Sequence, residues 1–534
     1  MNQGWSSRLF KKCAFYLSQA LLTLPLVAHA TGELSLANND MRPWLENVEQ
    51  LCAPLPKSLD RDAKGLLADF YAQRDGSAAW HSVLQFQQLQ AQIAQVRDDG
   101  LQPDQYPLPP WQDGARQTPC TELLVSHSYL QALLHLRQGR VPQQRLEPLW
   151  RTPAWPRTDT RLATLSIALR HVPAPSQAFN AARPDNAHYQ HLRAAYARLR
   201  DQPVTEWSAI DEGPLLRPGG QDPRLPALRA RLIAEGYLPP LTRDLGQRFD
   251  PLTVDALKAF QADHGINPDG LLGQASLVEL NVPAQRRRDQ LWINLERLRW
   301  LADDMREAEV MVNVAAAELR VQREHQVRWV TRTQVGRAER ATPLLASYIN
   351  RLTLNPTWTV PPTIFREDKL PKIRNDPGYL DQHELSVLDT QGAPLDPQGI
   401  DWDDPGQIVL RQAASAHNPL GRVALRFDNP FSVYLHDTPS QLLFDKSPRV
   451  FSSGCVRVEA VNTLLTWLLR PDEQEPVQQR LATGKTQEYR LRDRAPLLIA
   501  YWTVEATADG RVRYAPDTYA WDEHLLAALR QAGH

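Results

Sequence analysis

Apolar residues follow different spacings in different parts of the chain. Between residues 41 and 206 they recur at helical spacing, as at Leu66 and Phe70, which predicts a helical domain. Residues 207–220 are rich in Gly and Pro and indicate a linker.

A small helical module is predicted over residues 215–282. Asp250 is placed to cap one of its helices, with Pro251 at the first helical position. Apolar residues on one face of that helix and two shorter helices around it indicate a compact three-helix unit. A basic helix over residues 286–306 then connects the module to the last part of the chain.

From Glu309 onward the pattern changes to strands. Segments such as "EVMVNVAA", "VRWVTRTQVG" and "SVYLHD" alternate or carry β-branched residues, which predicts a mostly-β domain over residues 308–505. The alternation loosens over residues 361–419, which indicates a long lid-like insertion. Residues 506–534 are predicted to form a hairpin and a helix. The predicted fold class is therefore multidomain α+β.

Composition narrows the functional classes. The chain has 534 residues, is 42% hydrophobic and 23% charged, and carries a formal net charge of -1. These values are typical of a globular protein of several domains. A charge so close to zero gives no electrostatic reason to expect a nucleic-acid partner.

The first thirty residues read as an export signal. Arg8 and Lys11 precede an apolar stretch that ends in the small residues Ala28 and Ala30, so residues 1–30 are interpreted as a cleaved signal peptide. An uncleaved membrane anchor is the alternative. After cleavage we expect no stable membrane span and a location in the periplasm, where disulfides can form.

The four cysteines divide into two sets. Cys13 would leave with the signal peptide, and Cys52 and Cys120 both lie in the N-terminal helical region, which makes them candidate disulfide partners. Cys455 lies far from both in sequence. The sequence alone leaves other pairings open, but an odd number of cysteines indicates one free thiol or an intermolecular bridge.

Cys455 lies in a setting that suits a nucleophile. Gly454 precedes it, and the amphipathic pattern that follows predicts a helix whose first N–H groups and dipole would face the sulfur, lower the pKa of the thiol and hold an oxyanion. His436 ends a predicted strand shortly upstream and is the candidate base. The alternative is that Cys455 is a small buried apolar residue. Neither HExxH nor paired CxxC occurs, so no metal and no cofactor are expected.

Two of these patterns resemble known families. "HDTP…FSSGCVRVE" resembles the active-site signature of L,D-transpeptidases with a YkuD-type catalytic domain, with Ser453 where a second histidine is usual. The N-terminal helices resemble the scaffold domain of the large periplasmic members. "FQ…G…DG..G" within residues 215–282 resembles a peptidoglycan-binding module, and a spacer without ligand is the alternative.

The resemblance implies a mechanism. Cys455 would attack the diaminopimelate carbonyl of a tetrapeptide stem and release D-alanine, with His436 as base, oriented by a main-chain carbonyl near Asp437. Ser453 and Gly454 would contribute to the oxyanion site. An amine of a second stem would then resolve the thioester and form a 3→3 cross-link, and carbapenems would acylate Cys455.

The same resemblance suggests which residues grip the substrate. Tyr434, Arg457 and Trp358 are the candidates, with Arg457 pairing a carboxylate; packing in the core is the alternative for Tyr434 and Trp358. Expected partners are peptidoglycan stem peptides and other cell-wall synthesis proteins. An L,D-carboxypeptidase and a non-catalytic wall-binding scaffold are the competing functions.

Overall fold

A computed structural model describes residues 40–52, 55–110, 118–204, 207–242, 246–376 and 378–532. The predicted signal peptide over residues 1–30, with Cys13, lies outside the described residues. Within the described ranges, no helix is both long enough and apolar enough to cross a bilayer.

The N-terminal region is built from helices around one apolar cluster. Asp60 caps the third helix by accepting from Ala63 N–H at 2.9 Å, and Thr118 caps the fifth by accepting from Thr121 N–H at 3.2 Å. The elements are α1 (Arg42–Glu46), α2 (Val48–Leu51), α3 (Arg61–Ala72), α4 (Val83–Gln95), α5 (Pro119–Gln138), α6 (Gln143–Leu146), β1 (Trp150–Arg151), α7 (Thr160–His171), α8 (Pro175–Ala182) and α9 (Ala187–Leu199).

A disulfide joins two of these helices. The sulfurs of Cys52 and Cys120 are bonded, and the Cα atoms lie 5.3 Å apart. The bond links the end of α2 to the first turn of α5 across 68 positions of sequence. Cys455 is the free cysteine among the described residues.

The three-helix module has its own apolar cluster. Asp250 accepts from Thr253 N–H at 3.0 Å, and Pro251 takes the first helical position. The cap therefore stabilises the helix at the residues where the sequence predicts it. The elements are α10 (Leu225–Ala234), α11 (Pro251–Asp263) and α12 (Gln274–Leu280).

One long helix, α13 (Ala284–Glu307), connects the module to the β domain. It has 24 residues, which corresponds to roughly 36 Å, and most of its side chains are buried. Arg297 at its centre is fully buried and is bonded to Glu147 at 2.7 Å and to Asp522 at 2.5 Å. Helix α13 is therefore a shared core element that joins the N-terminal helices, the C-terminal helix and the sheet.

The β domain is dominated by one large sheet. Its elements, with those of the insertion and the C-terminal segment, are β2 (Val310–Asn313), β3 (Glu318–Arg323), β4 (Gln326–Gly336), β5 (Leu345–Leu354), β6 (Trp358–Thr359), α14 (Pro362–Ile364), α15 (Leu370–Asn375), α16 (Tyr379–Gln382), β7 (Leu385–Leu388), β8 (Val409–Gln412), β9 (Val423–Phe427), β10 (Leu435–His436), β11 (Val450–Ser452), β12 (Val456–Val458), α17 (Val461–Leu468), α18 (Pro471–Ala482), β13 (Gln487–Ala500), β14 (Val504–Ala506), β15 (Val512–Tyr514) and α19 (Trp521–Gln531).

The large sheet closes on itself. Its strand order is β1-β5-β13-β2-β3-β4-β12-β10-β9, and β9 also pairs with β5. Strand β1 of the N-terminal region adds to the edge of β5 in parallel, so the two regions share a sheet. The apolar side chains inside the sheet form one cluster with α9, α13 and α17. The predicted multidomain α+β class is confirmed.

The segment predicted as an irregular lid is a folded subdomain. Strands β6, β8 and β7 form a separate three-stranded sheet, and residues such as Val360, Ile373 and Leu410 form an apolar cluster of their own. A π-helical turn (Phe365–Lys369) joins α14 to α15. The loose pattern arises because these elements are short, so few periods of alternation are present in any one of them.

Candidate active site

Two short neighbouring strands, with the residue that precedes each of them, carry four of the sequence-predicted residues. Strands β10 and β12 run parallel, with His436 opposite Arg457. Continuing the register back by one residue sets Tyr434 opposite Cys455. Because side chains alternate between the two faces of a strand, all four lie on one face of the sheet. Cys455 and His436 are therefore diagonal neighbours on adjacent strands.

The turn before Cys455 is fixed by hydrogen bonds to one serine. Ser452 Oγ accepts from Gly454 N–H at 3.1 Å and donates to the Cys455 carbonyl at 2.5 Å. Gly454 has a φ of +114°, a conformation that residues with a side chain rarely adopt. Ser453 is exposed at the tip of the turn. The glycine is therefore required by backbone geometry.

The prediction that a helix follows Cys455 directly is wrong. Strand β12 begins at Val456, and α17 begins only at Val461. Pairing with β10 and β4 on either side holds these residues extended, which overrides the helical pattern. The dipole of α17 therefore does not explain the chemistry of the sulfur.

His436 is buried and fixed in one orientation. Its Nδ1 lies 2.6 Å from the main-chain oxygen of Asp437, so Nδ1 carries the proton and Nε2 is left as the acceptor. The Asp437 carboxylate points elsewhere and accepts from Arg422 N–H at 2.8 Å. Burial, with the nearby charges of Arg457 and Arg426, lowers the pKa of His436 to about 3. The imidazole is therefore neutral at physiological pH.

The thiol of Cys455 is also neutral at rest. Burial raises its pKa, although hydrogen bonds from Tyr434 and the charges of Arg426 and Arg457 act in the opposite direction. The sequence-based expectation of a lowered thiol pKa is therefore wrong. A neutral thiol beside a neutral imidazole must pass its proton to that imidazole as it attacks.

Tyr434 is held against the sulfur by a cation. The Arg426 guanidinium carbon lies 3.9 Å from the centre of the Tyr434 ring. Burial, followed by the Cys455 charge, raises the pKa of Tyr434. The hydroxyl therefore stays protonated and can donate to the sulfur. This position gives Tyr434 a contact with the reacting atom as well as a place in the packing.

Arg457 is a largely enclosed cation without a carboxylate partner among the described residues. Its Nη1 donates to Gln334 Oε1 at 3.0 Å, while its buried Nε has no hydrogen-bond partner in that part of the chain. Burial lowers the pKa of Arg457. A substrate carboxylate would satisfy both the charge and the unused donor.

A cavity of about 650 Å³ lies between the insertion and the turn that carries the nucleophile. Ser453 and Arg457, on either side of Cys455, line its floor. Trp358, Lys369 and Lys372 line it from the insertion. The structure therefore brings Trp358 to a cleft that Ser453 and Arg457, close to Cys455 in sequence, also line, with Lys369 Nζ 5.4 Å from the centre of the Trp358 ring.

Arg340 ties the insertion to the turn before the nucleophile. Its Nη1 donates to Ser453 Oγ at 3.0 Å and to Asp368 Oδ2 at 2.7 Å, and its Nη2 bonds Glu367. Both acidic residues belong to the π-helical turn of the insertion. One guanidinium therefore bonds the insertion to the turn before the nucleophile and fixes Ser453 at the same time.

We expect Arg340→Ala to raise KM for a stem-peptide substrate at least about tenfold, because hydrogen bonds to charged groups are worth roughly 1.5–3 kcal/mol each and the insertion loses several at once. Steady-state kinetics of the purified protein measure this. Arg366→Ala is the matched control, since Arg366 lies on the same π-helical turn and is exposed. An unchanged KM in Arg340→Ala would show that the contact does not govern access to the cleft.

Within the described residues, no group of three or more His, Cys, Asp or Glu side chains is arranged to hold a metal ion. The groups that meet at Cys455 are a thiol, an imidazole, a phenol and two guanidinium groups. This set is suited to acyl transfer by a nucleophile and a base.

Three stretches of the chain match models of known protein families. Residues 307–485 match the YkuD model, described as an L,D-transpeptidase catalytic domain. Residues 65–195 match a model described as a scaffold domain, and residues 221–280 match "Putative peptidoglycan binding domain". The β domain is therefore similar to the L,D-transpeptidase catalytic domains of the YkuD family. The stretches that match the scaffold and peptidoglycan-binding models precede it in the same chain, which confirms the resemblance found in the sequence.

The individual proteins that resemble this chain match only part of it or have low sequence identity to it. A Haemophilus influenzae protein named "Putative L,D-transpeptidase" is 33% identical over 244 residues, which is 45% of this chain and 49% of that protein. The match therefore spans about half the length of the curated relative. Structures of L,D-transpeptidases from Xylanimonas cellulosilytica and Stackebrandtia nassauensis are 14% and 15% identical, cover 56% and 55% of this chain and 100% and 96% of their own, and have TM-scores of 0.18 and 0.21.

Sequence reasoning missed Arg340 and Arg426. Both lie outside the stretch from His436 to Glu459 that carries the resemblance, and nothing in their neighbours distinguishes them from the many surface arginines. The available signal was chemical: an enclosed cleft that binds a peptide with several carboxylates needs fixed cations. This requirement predicts that arginine or lysine residues line the cleft, but it does not predict which ones.

Proposed function

We propose that this protein is an L,D-transpeptidase that joins two peptidoglycan stem peptides through a thioester on Cys455. The observation that carries the proposal is the placement of Cys455 and His436 as diagonal neighbours on one face of the sheet, beside a covered cleft. Its support is the match of residues 307–485 to an L,D-transpeptidase catalytic domain.

The first half-reaction would form the thioester. Cys455 Sγ attacks the carbonyl carbon that links diaminopimelate to the terminal D-alanine, and its proton passes to His436 Nε2. The tetrahedral intermediate collapses with cleavage of the C–N bond, and the imidazolium returns the proton to the D-alanine amine, which leaves. The imidazole is then neutral again.

The second half-reaction would transfer the acyl group. The side-chain amine of diaminopimelate on a second stem attacks the thioester carbonyl and gives a proton to His436. The C–S bond breaks, the thiolate takes that proton back, and a 3→3 cross-link is released. The insertion, bonded through Arg340 to the turn before Cys455, would favour this outcome over hydrolysis by limiting access of water to the thioester.

The charges of the cleft suit an anionic peptide. Glu367 and Asp368 are already bonded to Arg340, whereas Lys372 has no ion pair among the described residues. Together with Arg457 and Lys369, it leaves the cleft with unmatched positive charge. Stem peptides carry several free carboxylates, so this charge favours them as ligands.

The parts of the chain outside the β domain support a function at the cell wall. The N-terminal export signal read from residues 1–30 would deliver the protein to the periplasm, where its substrate lies. The match at residues 221–280 supports attachment to peptidoglycan. Contacts with other cell-wall synthesis proteins are part of the same proposal.

The product profile of the purified protein tests the proposal. Incubation with disaccharide tetrapeptides, followed by liquid chromatography and mass spectrometry, should give 3→3 linked dimers and free D-alanine. Accumulation of tripeptides without dimers would instead identify an L,D-carboxypeptidase. Recovery of unchanged tetrapeptides together with sedimentation on sacculi would identify a non-catalytic wall-binding protein.

A further inference from the structure

A buried threonine contacts the turn that carries the nucleophile. Thr342 Oγ1 donates to the main-chain oxygen of Gly454 at 3.0 Å and accepts from Gly336 N–H at 2.9 Å. Thr342 is fully buried. Since a hydroxyl has one proton and two lone pairs, both bonds can form at once. The residue just before Cys455 is thus anchored to the end of strand β4.

The hydroxyl of Tyr519 closes the neighbouring turn between Gly336 and Thr342. It donates to the Gly336 carbonyl at 2.7 Å and accepts from Thr342 N–H at 3.0 Å. The turn is tight: a Cβ at Gly336 would lie 2.2 Å from the Arg340 carbonyl oxygen. Tyr519 lies beyond residues 307–485, the stretch that matches the catalytic-domain family.

Tyr519 is held by the C-terminal segment. Its ring stacks on Tyr501, with ring centres 5.6 Å apart, and Tyr501 donates to Asp517 Oδ1 at 2.6 Å. Asp517 in turn accepts from Asp522 N–H at 2.9 Å, at the start of α19. Asp522 is bonded to the buried Arg297 of α13. The tyrosine is therefore fixed to the central helix of the molecule.

Holding the Gly454 carbonyl also fixes the next N–H group. The peptide unit between Gly454 and Cys455 is planar, so the direction of the carbonyl sets the direction of Cys455 N–H on its opposite side. Among the described residues, Cys455 N–H has no hydrogen-bond acceptor. A fixed and unused donor at the nucleophile is what an oxyanion requires.

We propose that Thr342 and Tyr519 are positioning residues that orient the Cys455 N–H toward the oxyanion of the tetrahedral intermediate. This inference rests on the proposed acyl transfer at Cys455. It assigns the C-terminal segment, which is absent from the matched catalytic-domain stretch, a part in the reaction. Neither residue touches the substrate; both act through the Gly454 peptide unit.

Thr342→Val tests the proposal because valine keeps the shape of threonine and loses the hydroxyl. We expect kcat to fall by up to about 10²-fold with KM nearly unchanged, since a misdirected Cys455 N–H loses part of a stabilisation whose complete loss lowers kcat by roughly 10²–10³-fold. Thr342→Ser should recover most of the lost rate. Tyr519→Phe, which keeps the stacked ring, should lower kcat about tenfold by releasing the turn.

Tyr489→Phe is the matched control, because it removes a hydroxyl bonded to Glu473 at 2.9 Å elsewhere in the same domain. Its kcat should equal that of the wild type. Wild-type rates in both Thr342→Val and Tyr519→Phe would overturn the proposal, and so would a Thr342→Ser variant as slow as Thr342→Val. A wild-type protein that forms no acyl-enzyme would instead refute the proposed function.

Discussion

Cys455→Ala is expected to abolish formation of 3→3 dimers from tetrapeptide stems, with a loss of at least about 10³-fold in rate. Removal of a nucleophile from a covalent mechanism leaves only binding and oxyanion stabilisation, which supply a small part of the acceleration. Because Cys455 is half-buried and alanine fits in its space, the thermal midpoint of unfolding should change little. Chromatography of muropeptide products and a thermal melt measure both quantities.

The same variant separates the nucleophile from the disulfide. Cys52 and Cys120 are bonded to each other, so a carbapenem that acylates the protein should mark the peptide containing Cys455. Peptide mapping after exposure to the drug should locate the adduct there in the wild type and find none in Cys455→Ala. Dimers from the alanine variant, or an adduct on another peptide, would contradict the assignment.

Cys52→Ser together with Cys120→Ser is the matched control for the loss of sulfur atoms. This double variant removes a bond that lies in the N-terminal helices, away from the cleft. It is expected to lower the free energy of unfolding by roughly 2–4 kcal/mol while leaving the rate per folded molecule unchanged. Loss of Cys455 is thus expected to lower the rate but not the stability, and loss of Cys52 and Cys120 is expected to lower the stability but not the rate.

Local patterns in the sequence predict those parts of the fold that local interactions decide. Asp250 and Pro251 begin a helix because a carboxylate can accept from the first turn and proline loses nothing there. Val461, Leu464 and Leu468 lie on the buried face of α17 as their spacing indicates. In each case the determining contacts lie within one turn or one face of a helix.

The same patterns fail where distant strands decide the outcome. Val456 follows a turn and precedes a helical pattern, yet it belongs to a strand because β10 and β4 flank it. The pKa of Cys455 is raised because packing against the sheet buries the thiol, which no neighbour in sequence reveals. Thr342 meets Gly454, and Tyr519 meets Thr342, only in the folded chain.

The candidate site also combines residues that local sequence signals predict with residues that only the folded structure brings together. A glycine before a cysteine and a histidine at a strand end are short signals that can be recognised from sequence. The groups that surround them, such as Arg340 and Arg426, come from other strands and turns. Since their positions depend on how the sheet closes and where the insertion folds back, only the structure places Arg426 against Tyr434 and Arg340 against Ser453.

His436→Asn is expected to lower the rate of acylation by about 10²–10⁴-fold, which is the usual contribution of a positioned base. Asparagine can keep the bond to the Asp437 carbonyl but cannot accept the thiol proton. The wild-type imidazole, with a pKa of about 3, is ready to accept that proton throughout the neutral range. Stopped-flow measurement of acyl-enzyme formation by the two proteins gives the comparison.

The variant should also change how stability depends on pH. The unfolded chain protonates His436 near its ordinary pKa of 6.5, whereas the folded chain does so only near about 3. Between these values the unfolded state binds the extra proton, so stability falls as the pH is lowered through this window. His436→Asn should lose that part of the pH dependence.

His127→Gln is the control, at another buried histidine whose pKa burial lowers to about 4. It should change the dependence of stability on pH in the same direction and leave acylation intact. Acylation by His436→Asn at the wild-type rate would show that the proton of Cys455 leaves by another route.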